Sequence, residues 1–243
     1  MKRTFVLFFL CILALAGPLS AQQRLYFGAN GTLMSTWTTN QMNYGKPDMD
    51  YKLTFNPAGN INIGYDFGKN FGLIFQAGYA ILGQKYEDEI NDTSYTRRVS
   101  MGYIPFTLMF KYRTTGELAR FYVMAGPQFN LLIKAKQDYF RNDSTFDETI
   151  TWMDDVVKIS EEDITEQFTS FDIMARVDFG VEISIIDNLF VTAGLSLGYG
   201  LLDINDPDWQ MNNADGDYNP SHNTFGGFSI GINYCLNPKK AKN

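Results

Sequence analysis

The sequence predicts an all-β protein, an eight-stranded antiparallel transmembrane up-and-down β-barrel. Three observations predict it. Eight stretches alternate apolar and polar residues at period two, an export signal precedes them, and the mature chain holds no apolar run long enough to form a spanning helix.

The export signal comes first. Lys2 and Arg3 form a short basic region, Phe5 to Ala16 is apolar, and Ser20-Ala21 supplies small residues ahead of Gln22, so residues 1–21 read as a signal peptide cleaved after Ala21. Gly17-Pro18 ends the apolar run before it reaches the ~20 residues of a membrane anchor. Cys11 sits inside the apolar core with no small residue before it, which argues against lipidation. Removing the signal takes away two bases and no acid, moving the formal net charge from −7 to about −9. That charge argues against nucleic acid as a partner. Cys235 is then the one thiol left and cannot form an internal disulfide. The remaining length suits one β domain, over 22–236, followed by a short basic tail at 237–243.

Strands are expected near 24–35, 55–67, 71–82, 99–113, 120–133, 168–186, 189–202 and 223–236. In the second, Phe55, Ile61, Ile63, Tyr65 and Phe67 share one face, while Asn56, Asn60, Asn62 and Asp66 share the other. The third, fifth, sixth, seventh and eighth strands divide in the same way: Phe75, Val123, Phe179, Leu195 and Ile230 are apolar-face examples. The opposite face carries Gly, Asn, Ser and a few charges, a mixture that fills the narrow lumen of an eight-stranded barrel. The apolar face then meets lipid. Lipid requires every backbone N–H and C=O to be paired internally, which among sheets only a closed one achieves.

Connections alternate in length. Gly68-Lys69-Asn70, Thr114 to Ala119 and Asp187-Asn188 are short, whereas 36–54, 83–98, 134–167 and 203–222 are long. Short periplasmic turns and long extracellular loops are the outer-membrane pattern, which places the protein in the outer membrane of a Gram-negative bacterium. Phe27, Tyr65, Phe67, Phe71, Tyr112, Phe121 and Tyr234 gather at the short-turn end, where rings suit the membrane–water interface. Pro105 and Pro127 cannot donate to a ladder, so bulges are expected at both.

Candidate sites follow from the same faces. Arg120 and Arg176, with Asp66, Asp172, Asp178 and Glu182, are expected as a lumen charge network, because charges enclosed there must pair or stay wet. His222 beside Ser221 lacks an orienting carboxylate in sequence, so no catalytic residue is assigned and the chain reads as non-enzymatic. The loop Asp203 to Asn219 is rich in oxygen ligands, and Asp203, Asp206, Asp208, Asp215 and Asp217 are weak calcium candidates. An EF-hand spacing would need Glu where Ala214 stands, and the composition equally fits an ordinary exposed loop, so no metal and no cofactor is assigned. The acidic link 134–167 leads into a stretch, 152–168, in which Val156, Val157, Ile159 and Ile164 give an imperfect helical stripe; a short helix there would cap the barrel mouth or grip a partner, and a solvated acidic surface is the plainer account.

The segment YIPFTLMFKYR, from Tyr103 to Arg113, with FYVMAGPQFNLLI, from Phe121 to Ile133, resembles the central hairpin of the PorT-like outer-membrane barrels of Bacteroidetes. The opening FGANGTLMS and the closing GGFSIGINY are also similar to that family's first and last strands, although the chain runs on past Tyr234 where such barrels usually end on an aromatic residue. The resemblance implies an eight-stranded outer-membrane barrel and, from the founding member, a role in type IX protein secretion. It carries no catalytic motif. The reading is a monomeric barrel with a plugged lumen that acts through its external loops or within an envelope or secretion assembly. Its expected partners are outer-membrane lipids, lipopolysaccharide and envelope proteins, and the alternative is a small pore for ions or small solutes.

Overall fold

A computed structural model of the chain describes residues 24–39, 50–90, 93–141, 144–145, 149–152, 155–158, 161–210, 212 and 216–236. The expected signal peptide and basic tail lie outside the described residues. The wall is made by β1 (Arg24–Thr39), β2 (Phe55–Asp66), β3 (Phe71–Ile90), β4 (Thr93–Arg113), β5 (Ala119–Arg141), β6 (Phe171–Ile186), β7 (Leu189–Gly200) and β8 (His222–Cys235). Each pairs antiparallel with the next, and β8 pairs back onto β1, as in Gly28↔Asn233, so the sheet closes without a free edge.

The apolar face points outward. Ile61 is 70% exposed, Phe75 46%, Val123 50% and Leu195 45%, values opposite to those of a soluble core. At the short-turn end Phe27 lies 5.7 Å from Tyr234, and Phe71 lies 5.4 Å from Tyr112, forming an interfacial ring of aromatics.

Inside, the lumen is layered. Asn62 bonds Asn233 across its middle (2.7 Å), with Gln76 and Gln128 also buried there. The outer half departs from the polar filling expected above. Met34, Leu82, Val99, Met101, Met174 and Phe225 form a buried apolar core inside the barrel, joined by Ile164 and Phe168 from the β5–β6 link and Ile204 from the β7–β8 link. Loops folded over the mouth exclude water there, so apolar side chains become the favourable filling.

Large inward rings need glycine opposite them. Tyr26 covers its ladder partner Gly64, where an added Cβ would stand 2.1 Å from the ring, and Phe225 covers Gly198 at 2.2 Å. Gly64→Ala is therefore expected to cost about 1–3 kcal/mol in urea unfolding, by overpacking. Gly59→Ala, with open space around its Cβ, should be close to neutral; equal costs would show that Tyr26 is loosely held.

The structure corrects several expectations. The register does not shift at Pro105 or Pro127. Instead the β3–β4 ladder runs to Ala77↔Phe106 and resumes at Ala80↔Tyr103, and the β4–β5 ladder skips from Thr107↔Gln128 to Phe110↔Ala125. Each proline lacks the N–H that would complete its ladder on one side, and the gap is absorbed without an inserted residue. The β4–β5 bulge falls between Gly102 and Tyr103. The links at 83–98 and 134–167 are not loops throughout. β3 and β4 stay paired out to Ile90↔Thr93, and β5 continues to Arg141. Beyond lipid, a strand no longer has to alternate apolar and polar residues, so pairing outlasts the period-two signal. The expected helix is also replaced among the described residues: Thr149–Trp152 pairs with Asp155–Lys158, Glu162–Asp163 pairs with β5, and Thr165–Gln167 forms a 3₁₀ turn. Ile159 lies outside the described residues.

Candidate functional site

Two features of the lumen concentrate chemistry. The first is a charged floor at the short-turn end, where inward positions of five wall strands, β1, β2, β4, β5 and β6, converge. Glu182 of β6 accepts from Arg24 Nη2 (2.7 Å), Lys111 Nζ (2.8 Å), Arg113 Nη1 (3.1 Å) and Arg120 Nη1 (2.9 Å). Asp66 of β2 pairs with Arg24 Nε (3.1 Å) and Arg113 Nη1 (2.8 Å), and lies 3.8 Å from Lys111 Nζ. Asp66 and Glu182 are fully buried, and both carboxylates survive there because charge-assisted bonds replace water. Arg24 also stacks over Phe190 at 4.2 Å, and Lys111 over Tyr26 at 5.0 Å.

Of the six residues expected in the lumen network, the structure thus brings Asp66, Arg120 and Glu182 into this floor. Arg176 and Asp178 form a separate pair on one face of β6, with Nε–Oδ1 at 2.9 Å and Nη2–Oδ2 at 2.8 Å. Asp172 stands apart: it forms no ion pair among the described residues and takes the side-chain amides of Asn130 (3.4 Å) and Asn223 (3.5 Å). Arg24, Lys111 and Arg113 belong to the floor and were not anticipated, although alternation carried the signal. Phe110 and Tyr112 face out, so Lys111 and Arg113 must face in.

The second feature is the β7–β8 loop that helps close the mouth. Asp203 organises it. Oδ1 accepts from the backbone N–H of Asn205 (3.1 Å) and Ser221 (3.0 Å), and Oδ2 accepts from Gln210 Nε2 (3.1 Å) and the Tyr218 hydroxyl. The weak calcium candidates are thus dispersed: Asp203 is occupied by protein donors, Asp206 caps the turn Pro207–Trp209 by accepting from Asp208 N (3.1 Å), Asp217 is exposed, and Asp215 lies outside the described residues. Among the described residues no group of three His, Cys, Asp or Glu could hold a metal. His222 Nδ1 meets the Leu202 carbonyl at 2.9 Å and its ring stacks on Tyr199, while Ser221 Oγ is taken by Asn205 Nδ2 (3.1 Å).

Burial and the bond to Asp203 push the Tyr218 phenol up to about 12. A raised folded value means its contribution is full below the ordinary tyrosine value of about 10 and is lost as pH rises through about 12. Tyr218→Phe should cost about 1 kcal/mol locally and speed proteolytic nicking of the loop below pH ~10. Unchanged nicking would mean that Asp203 holds the loop without it.

The family model for the outer membrane protein beta-barrel domain matches residues 20–206, which takes in β1 through β7. No curated protein matches the chain. Among solved structures, Neisserial surface protein A is similar at 13% identity and TM-score 0.45, covering 86% of this chain and 96% of that one. The outer membrane protein OprG of Pseudomonas aeruginosa is similar at 10% identity and TM-score 0.44, covering 89% and 96%. Ail of Yersinia pestis, solved with the heparin analogue sucrose octasulfate, is similar at 12% identity and TM-score 0.37, covering 87% and 97%. With its outward apolar wall, closed eight-strand ring and family match, this chain belongs to the outer membrane protein beta-barrel domain family and resides in the outer membrane of a Gram-negative bacterium.

Proposed function

We propose that the protein is a non-enzymatic outer-membrane barrel with a plugged lumen that works through its external face or as a component of an envelope assembly. The observation that carries this reading is the filling of the lumen at both ends. The charged floor closes one end and the loop-capped apolar core the other, and two cavities between them, of about 30 and 10 Å³, have room for a few waters at most. His222 and Ser221, the residues nearest to a hydrolytic pair, are each engaged by other groups. Within the reading, the likeness of the segments Tyr103 to Arg113 and Phe121 to Ile133 to PorT-like barrels favours a secretion assembly of the type IX class. Outer-membrane lipids and lipopolysaccharide are its surroundings, and envelope proteins its partners.

Planar-bilayer recording of the purified barrel tests the plug: a silent bilayer is expected, and steady single-channel steps would replace this reading with a small pore. Cross-linking in intact cells tests the assembly, with recovery of other envelope proteins expected and capture of lipid alone counting against it.

A further inference from the structure

We propose that the periplasmic mouth of the barrel binds a phosphate group. The floor gathers four cations, Arg24, Lys111, Arg113 and Arg120, around two carboxylates, Asp66 and Glu182, so these six residues carry two positive charges in excess. The ring faces of Phe190 and Tyr26 offset part of that excess. The rest gives the inner, arginine side of the mouth a positive local field, which Glu117 and Asp187 at the outer rim balance, so an anion is drawn to the arginines and away from the rim.

Arg24 and Arg120 are also the members of the floor that line a cavity of about 360 Å³ at the short-turn end, together with Leu118, Ser184 and Ile186. Arg24 commits Nε and Nη2 to carboxylates, and Arg120 commits Nε to the Gly116 carbonyl and Nη1 to Glu182. A guanidinium has donors on all three nitrogens, so among the described residues Nη1 of Arg24 and Nη2 of Arg120 remain uncommitted, and two forks suit the oxygens of a phosphate. Glu117 and Asp187, in the turns at the same rim, also line the cavity; they disfavour a polyanion and leave the site to a single phosphate. The aliphatic residues suit either a lipid headgroup of the periplasmic leaflet, entering with its stem, or free inorganic phosphate.

Thermal unfolding of the mature chain, refolded in a nonionic detergent, provides the test. Inorganic phosphate is expected to raise the midpoint saturably above chloride at equal ionic strength. Arg120→Gln should weaken half-saturation about tenfold, as loss of one charge-assisted hydrogen bond implies. Ser184→Asp places a carboxylate in the cavity lining without altering any of the six floor residues, and should abolish the response even if the arginine variant fails to fold. Micelles doped with phosphatidylglycerol identify the source: a rise that free phosphate does not reproduce assigns the lipid, and the converse assigns the free ion. Equal responses to phosphate and chloride together with no rise in phosphatidylglycerol micelles, or a response to either that is unaltered in the folded variants, would overturn the proposal.

Discussion

Replacing Glu182 with Gln is expected to destabilise the barrel by about 3–5 kcal/mol, the usual cost of removing one partner from a buried ionic cluster. The amide keeps the shape of the side chain and deletes its charge. Four cations contact this carboxylate, each between 2.7 and 3.1 Å, and after the change only Asp66 remains among them. Because Lys111 is buried beside it, the double variant Glu182→Gln with Lys111→Met should recover part of the loss. Urea unfolding in lipid vesicles gives the comparison. A single-variant loss under about 1 kcal/mol would mean that water already solvates the floor.

Ile61→Arg carries the second large effect. Ile61 lies near the middle of β2 and points away from the lumen, so in a bilayer its replacement by a cation is expected to cost about 2–4 kcal/mol. For a soluble protein the same substitution at a highly exposed site would stay within about 0.5 kcal/mol. The two outcomes are well separated. Refolding into vesicles and titrating with urea distinguishes them, and a neutral result would remove lipid from the outer wall.

Much of this fold was legible before any coordinates, because lipid forces a period-two contrast onto the wall: Ile61, Phe75, Val123 and Leu195 announce the outer face by alternation alone. The same contrast hid what happens where it lapses. Met34, Met101 and Phe225 are apolar on the inner face, and their meaning depends on Ile164, Phe168 and Ile204 arriving from distant links to keep water out. Half of the charged floor was read from parity. Lys111 and Arg113 were equally readable and are recognised only once Glu182 is seen to gather them from across the ring. The Asp203 hub was not legible at all: its donors come from positions 205, 210, 218 and 221, and no short motif links them.

The continuation of β3 and β4 to Ile90 and Thr93 makes the outside of this molecule a stiff ridge rather than a tether. At about 3.3 Å per residue, the eight positions from Gly83 to Ile90 carry the hairpin roughly 25 Å onward, with the short strand Asp50–Lys52 buttressing one side and β5 the other. A binding partner that lands on the paired part of this ridge meets strands already ordered by their ladder, so little of the contact energy is lost to ordering them.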